Sequence, residues 1–409
     1  MMTGSGALSG IKILDLSRIL AGPWSAQTLA DLGADVIKVE RPDGGDDTRS
    51  WGPPWLNDSD GNATADATYY LAANRNKRAI TVDFTQPEGQ AIIRSLAIQS
   101  DILIENYKLG GLAKYGLDYE SLSSLNPKLI YCSITGFGQT GPYAARPGYD
   151  LLMQAMGGLM SITGERDDRP GGGPQRVGVA VIDLMTGMYS SVGILAALHA
   201  RTRTGRGQHL DIALLDVATA MLANQGMSYL ASGNIPVRSG NAHPSIVPYQ
   251  DVPTADGAMI IAVGNDGQFA RFCEVLCQPD WAEDPRFQTN RARIENRMML
   301  IDMIGTRTVT QSTRVWIASL ETAGVPCGPI NTIDDVFADP QVVSRGLKQS
   351  VTHATAGPIP TIASPLRLSD TPVDYRRAPP VLGQHTQDVL SEIGMSAVEI
   401  ATLAEKGII

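Results

Sequence analysis

Asp183 is the only charged residue in the apolar stretch 177–200 (VGVAVIDLMTGMYSSVGILAALHA). Leu184, Met188, Val192 and Leu195 recur at helical spacing, which predicts a buried helix over residues 184–199. Asp183 then sits in the first turn or just before it. Free backbone N–H groups and the positive end of the helix dipole keep a carboxylate ionised there. An aspartate in that place commonly serves only as an N-cap. The chemical alternative is a buried carboxylate held as a nucleophile. Such a group attacks an activated acyl carbon without a general base, since its reference pKa is about 3.9.

Other reactive residue types are less concentrated. Arg75, Lys77 and Arg78 form a basic cluster that is either a solvated face or an anion site. Cys132, Cys273, Cys277 and Cys327 form no CxxC pair, and the five histidines do not gather near them, so no metal site is expected. The simplest account is reduced thiols in a cytoplasmic protein. A formal net charge of −9 argues against nucleic-acid or anionic-membrane partners. Residues 1–10 carry neither a charged segment nor an apolar one, which predicts no secretory signal. No apolar run approaches 18 residues, which predicts no membrane span. Neither GxGxxG nor GxxxxGK[ST] occurs, so a dinucleotide or P-loop site has no motif behind it.

The elements that must position Asp183 follow from hydrophobic pattern. Residues 11–16 read as a strand, 17–22 as a loop, 23–32 as a helix opened by Pro23 and closed by Gly33, and 35–40 as the next strand. This strand–loop–helix–strand unit seeds an open parallel α/β sheet, whose ligands bind at the carboxyl ends of its strands. Residues 44–62 read as a long surface excursion, Thr85 to Glu88 as a capping box opening a helix over 86–99, and 101–106 and 129–134 as further strands. The turn 135–142 is rich in glycine. Helices are expected over 149–160 and over 216–231 with Asp216 as cap, and a strand over 208–214. Polar passages at 232–248 and 332–364 read as linkers bracketing a smaller α+β domain, residues 225–330. The large domain then comprises 1–224 and 340–409. The tail helices 386–393 and 397–406, the second behind a Ser396/Glu399 capping box, are expected to dock on it.

Several short segments together resemble the class III (CaiB/BaiF-type) coenzyme A transferases over essentially the whole length. They are Leu14-Asp15-Leu16 with Ala21-Gly22-Pro23, 33–40 (GADVIKVE), 74–78 (NRNKR), Glu105-Asn106-Tyr107 and 133–138 (SITGFG). Gly148-Tyr149-Asp150, Asp183, 204–208 (TGRGQ) and Gly264-Asn265-Asp266 complete the set. The resemblance implies a Rossmann-like large domain, a smaller domain, and two subunits interlocked as a homodimer. It implies that Asp183 attacks an acyl-CoA thioester to give an aspartyl anhydride and then an aspartyl-CoA thioester. It places coenzyme A against Leu20, Ala21, Arg41, Val82, Thr85, Asn106, Tyr107, Lys114, Thr135 and Phe137. A glycine-containing lid is expected at Gly264, Asn265, Asp266 and Gly267, with Tyr149 on the substrate side. No cofactor is implied beyond coenzyme A as substrate. Thr85 and Thr135 stand where some relatives have lysine, so the Arg75–Lys77–Arg78 cluster either takes over phosphate contacts or braces the fold.

The rival of the same fold is an α-methylacyl-CoA racemase, which needs a histidine where this chain has Tyr149. A phenol of reference pKa near 10 is a poor base at neutral pH, so transfer is favoured. The resemblance extends to the subgroup that uses succinyl-CoA and a dicarboxylic acid. A second carboxylate needs a cation, and Arg238, His243 and Arg176 are the candidates at this level.

Overall fold

The computed structural model describes residues 6–409; residues 1–5, part of the stretch read as carrying no secretory signal, lie outside it. Six parallel strands form the main sheet: β1 (Lys12–Asp15), β2 (Asp35–Glu40), β3 (Lys77–Thr81), β4 (Ile102–Glu105), β5 (Ile130–Thr135) and β6 (His209–Ala213). Their order is β3-β2-β1-β4-β5-β6. Consecutive strands run outward from β1 in one direction and then restart at β4 on its other side. The loops after β1 and β4 therefore part from each other, and that opening is where ligands of such sheets bind.

Most strand residues are buried because helices cover both faces. On one face Ile13, Val36, Ile102, Ile104 and Ile130 pack with α1 (Ala21–Asp31), α3 (Asp150–Met156) and α4 (Val181–Thr204). On the other, Leu14, Ile37, Ile80 and Leu103 pack with α2 (Pro87–Ile98) and with Val389, Leu390, Ile400 and Leu403 of the tail helices. The tail's capping box forms: Ser396 accepts the Glu399 N–H, and the Glu399 carboxylate accepts the Ser396 N–H at 2.8 Å.

Two compact units divide the chain. One comprises the residues through Leu159, Val177–Met227 and Gln341–Ile409; the other comprises Met160–Arg176 and Ser228–Pro340. The second unit has an antiparallel hairpin, β7 (Tyr249–Thr254) and β8 (Gly257–Ala262), flanked by β9 (Cys327–Pro329). Its core is Phe269, Phe272, Leu300 and Trp316, with a fully buried Arg293 satisfied by the Val247 and Phe287 carbonyls and by Asp266.

Several local expectations are corrected. The Thr85–Glu88 capping box does not form: the Thr85 hydroxyl donates instead to Asp83 at 2.6 Å, and Gln86 caps α2 without a side-chain bond. The helix expected over 216–231 breaks into Leu214–Ala220 and Ala223–Ser232, because Ala223 adopts φ +43°. Asp216 lies in the first turn rather than at the cap. The passage 332–364 holds two short helices and the hairpin Lys348–His353/Gly357–Ile362. Residues 44–62 are not all surface: Asp46, Thr48 and Arg49 are buried.

Helix α4 is longer than expected, 24 residues, and its buried stripe is a different one. Ile182, Thr186, Gly187, Ser190, Ser191, Ile194 and Ala197 face inward, while Tyr189, Val192 and Leu195 are exposed. Length and composition alone would let α4 cross a membrane, contrary to the expectation that no run approaches that size. Ile182, Ile194 and Ala197 belong to the sheet-side core, as in a core helix of a folded domain. The small inward residues allow close packing on α1: Ser25 and Ser191 hydroxyls meet at 3.0 Å, and a Cβ on Gly187 would lie 2.7 Å from the Ala21 carbonyl oxygen.

Candidate active site

Asp183 is the third residue of α4, which begins at Val181 after Ala180. Alanine cannot cap a helix, and the free N–H groups go to Asp150 instead. One Asp150 oxygen accepts Ile182 N–H at 2.8 Å and Asp183 N–H at 3.3 Å; the other accepts the Gln154 amide at 2.6 Å. Gln154 in turn accepts Val177 N–H at 2.9 Å, which fixes the chain leading into α4. Asp183 is 9% exposed, and no hydrogen bond to its carboxylate is found among the described residues. Burial, and then the charge of Asp150, push its pKa up to about 7. The expectation that helix N–H groups keep Asp183 ionised is therefore overturned: Asp150 occupies those donors.

Asp183 lines a cavity of about 200 Å³ at the opening between β1 and β4. The loop after β1 supplies Arg18, Ile19, Leu20 and Ala21; the loop after β4 supplies Asn106, Tyr107, Lys108 and Leu109; Thr135, Arg146 and Tyr149 complete much of the wall. A second cavity of about 280 Å³ shares Arg18, Tyr107 and Lys108 with the first. It holds Arg41, Val82, Thr85 and Lys114. Of the ten positions implied for coenzyme A, nine thus line one of two cavities with three residues in common. Phe137 lines neither; it is 8% exposed and packs in the core beneath Tyr143.

Buried polar contacts hold the loops. Asn106 accepts Arg18 N–H at 2.9 Å and donates to the Arg18 carbonyl at 2.7 Å, so both ends of its amide tie the β1 and β4 loops together. Glu105 accepts Tyr107 N–H at 2.7 Å, and burial pushes its pKa up to about 7. Ile19, β-branched, is held at φ +72°, an outlier stabilised by its N–H to Asp46 at 3.2 Å. Asp46 pairs with fully buried Lys38 at 2.9 Å; against the cost of burial this lowers the Asp46 pKa to about 2.

The cluster Arg75, Lys77, Arg78 braces the fold. Arg75 pairs with Asp31 at 2.5 Å, Lys77 with Asp15 at 3.0 Å, and Arg78 with Asp35 at 2.7 Å. Arg41 lies beside Asp47 at 3.0 Å, and Lys114 sits 4.5 Å from the Tyr115 ring centroid. Thr135 accepts Gly138 N–H at 2.9 Å. Gly264, Asn265 and Asp266 belong to the second unit, at the start of helix Asp266–Val275. Asn265 caps that helix through Gln268 N–H at 2.9 Å, and Gly264 N–H donates to the Gln268 side chain at 2.7 Å. Arg176, Arg238 and His243 also belong to the second unit, and Arg238 is bound by Asp167.

Four residues escape a reading of the sequence alone. Asp150 is visible there only as part of Gly148-Tyr149-Asp150. Arg18, Lys108 and Tyr69 carry no motif signal; burial, then the charges of Asp183 and Asp150, raise the Tyr69 pKa, and its ring meets Trp51 edge-on at 5.2 Å. Among the described residues no group of three or more His, Cys, Asp or Glu side chains could hold a metal ion.

Comparison with known proteins shows the family. The family model described as CoA-transferase family III matches residues 8–386. A succinate–glutarate CoA-transferase of Agrobacterium fabrum is 54% identical over 94% of this chain and 95% of its own. A succinyl-CoA:glutarate CoA-transferase of Homo sapiens is 44% identical over 94% and 86%. The crystal structure of a CAIB/BAIF family protein from Brucella suis superposes with a TM-score of 0.83 at 51% identity, covering 95% of this chain and 99% of that one.

Proposed function

The chain belongs to CoA-transferase family III, and from that premise we propose that it moves coenzyme A from succinyl-CoA to a second dicarboxylic acid of glutarate size through covalent intermediates on Asp183. The observation that carries the reading is a buried carboxylate, free of hydrogen bonds among the described residues, in the wall of the cavity between the β1 and β4 loops. The names of the glutarate transferases at 54% and 44% identity support the substrate class.

An Asp183 oxygen attacks the thioester carbonyl; the C–S bond breaks, leaving a mixed anhydride and the CoA thiolate. The thiolate attacks the Asp183 carbonyl of the anhydride, which releases succinate and leaves an aspartyl-CoA thioester. The acceptor carboxylate attacks that thioester, expelling the thiolate and forming a new anhydride. The thiolate then attacks the acceptor acyl carbon, and Asp183 leaves as carboxylate. Each step exchanges one activated acyl bond for another, so no metal or oxidant enters the balance. Water must be kept from the anhydrides. Lys108, Arg41 and Lys114 are the cations proposed to meet the CoA phosphates.

The test is a panel of mono- and dicarboxylic acids offered with succinyl-CoA, with hydroxylamine trapping of Asp183 read by peptide mass. Transfer to glutarate and a hydroxamate on Asp183 are expected. Deuterium entering C2 of a 2-methylacyl-CoA, without transfer, would overturn the reading in favour of racemisation. The assembly proposed is an interlocked homodimer. Exposed apolar side chains support it, Leu151 and Met156 on α3 and Tyr189, Val192 and Leu195 on α4, a surface that monomers rarely leave open.

A further inference from the structure

The cavity that holds Asp183 contains three cations, Arg18, Lys108 and Arg146. Arg18 pairs with Asp47 at 3.2 Å and, like Lys108, also lines the neighbouring cavity. Arg146 lines the Asp183 cavity alone of the two and makes no ion pair among the described residues. Its guanidinium carbon lies 4.6 Å from the Tyr143 ring centroid and 5.1 Å from that of Phe137, and those rings meet edge-to-face at 5.6 Å. Its backbone N–H closes a turn on the Tyr143 carbonyl at 2.8 Å. Aromatic faces stabilise the charge and limit the rotamers of the side chain without using its N–H donors. A planar fork of that kind matches a carboxylate in two parallel hydrogen bonds.

We infer that Arg146 binds the second carboxylate of the dicarboxylic acyl group and so sets the preference for dicarboxylic over monocarboxylic acids. The inference rests on the proposed transfer between two dicarboxylic acids. That reaction is of the ping-pong kind: donor acyl group and acceptor acid occupy the same place beside Asp183 in turn. One cation therefore serves both, and a single substitution should weaken the second carboxylate's contribution in both half-reactions. This also gives a role to Phe137, which lines neither cavity: its ring supports the cation.

The test compares wild type, Arg146→Gln and Arg146→Lys with succinyl-CoA as donor and glutarate or pentanoate as acceptor. In ping-pong kinetics kcat/KM for the acceptor reports the second half-reaction only, so the donor's own carboxylate does not enter. Loss of a charge-assisted pair predicts that Arg146→Gln lowers kcat/KM for glutarate about 30- to 100-fold and changes that for pentanoate less than about threefold. Arg146→Lys should fall between. Calorimetric binding of free coenzyme A, within about twofold of wild type, certifies that the variant is folded. A wild-type preference for glutarate that persists in Arg146→Gln overturns the inference and leaves the proposed function standing. A wild type indifferent to the second carboxylate overturns both.

Discussion

One oxygen of Asp150 accepts the backbone N–H of Asp183, at 3.3 Å, and that of Ile182, at 2.8 Å. The carboxylate of one aspartate thus takes the helix-terminal donors that the other would use. Asp183 is left buried beside a negative charge and without a donor among the described residues, which raises its pKa and leaves its oxygens available for the proposed attack. Asp150→Asn keeps an acceptor for those N–H groups and removes the charge. If Asp183 is the nucleophile, the acid limb of kcat/KM for succinyl-CoA is expected near pH 7 in wild type and should move to lower pH in this variant. An unmoved limb would show that Asp150 acts through geometry alone. Asp150→Ala should instead destabilise by about 1–3 kcal/mol, because buried donors lose their acceptor.

The same shift has a consequence for stability. The native state holds a proton on Asp183 between about pH 4 and about pH 7 that the unfolded chain has released. Stability gained from that proton is present at low pH and lost as pH rises through the folded pKa, with a ceiling of roughly 4 kcal/mol. Asp183→Asn removes the titration. Its melting temperature should exceed that of wild type at pH 8 and converge with it near pH 4, while transfer falls by several orders of magnitude. Equal melting temperatures at pH 8 would show that the ionised carboxylate carries no cost.

Much of the sheet was legible in the sequence because both of its faces are covered, so β1, β2, β4 and β5 read as short apolar runs between Gly, Asp and Asn. Asp183 was legible as a lone charge in an apolar stretch. Its environment was not, since Asp150 is 33 positions away and reaches it only when α3 packs on α4. The stripe of α4 was misread for a related reason. Leu184, Met188, Val192 and Leu195 have the right period, but Ser190, Ser191 and Gly187 are inside because α1 approaches too closely for large side chains. For Arg75, Lys77 and Arg78 the sequence left bracing the fold as one of two roles; the ion pairs decide for it, with partners Asp31, Asp15 and Asp35 that come from earlier segments.

Gly187 lies one turn beyond Asp183 and permits that close approach. A Cβ there would meet the Ala21 carbonyl oxygen at 2.7 Å and Trp24 Cδ1 at 3.1 Å. Alanine in an exposed helix would stabilise by up to about 1 kcal/mol, whereas overpacking costs about 1–3 kcal/mol. Gly187→Ala should therefore lower stability, and kcat/KM should fall as well, since the displaced helix carries Asp183 away from the Leu20–Ala21 wall. Denaturant unfolding and steady-state rates check both. A variant more stable than wild type would remove the steric account of this glycine.

The proposed homodimer makes the last prediction. Val192 is 59% exposed and Leu151 53%, on two helices that pack on the same face of the sheet. Burying a large aliphatic side chain contributes about 1.5–3 kcal/mol relative to exposure. Leaving a set of them in water is therefore costly, and a second copy of the chain is the occupant that the family resemblance supplies. Val192→Asp places a charge on that surface without touching the inward stripe of Ile182, Gly187 and Ile194. If the chains are interlocked, separation requires a unit or a connection to open, so dissociation is slow and coupled to unfolding. Wild type should keep its sedimentation coefficient and specific activity on dilution to nanomolar concentration, and Val192→Asp should reduce the yield of folded protein rather than give an active monomer. A folded, active monomer from either protein would overturn the interlocked assembly.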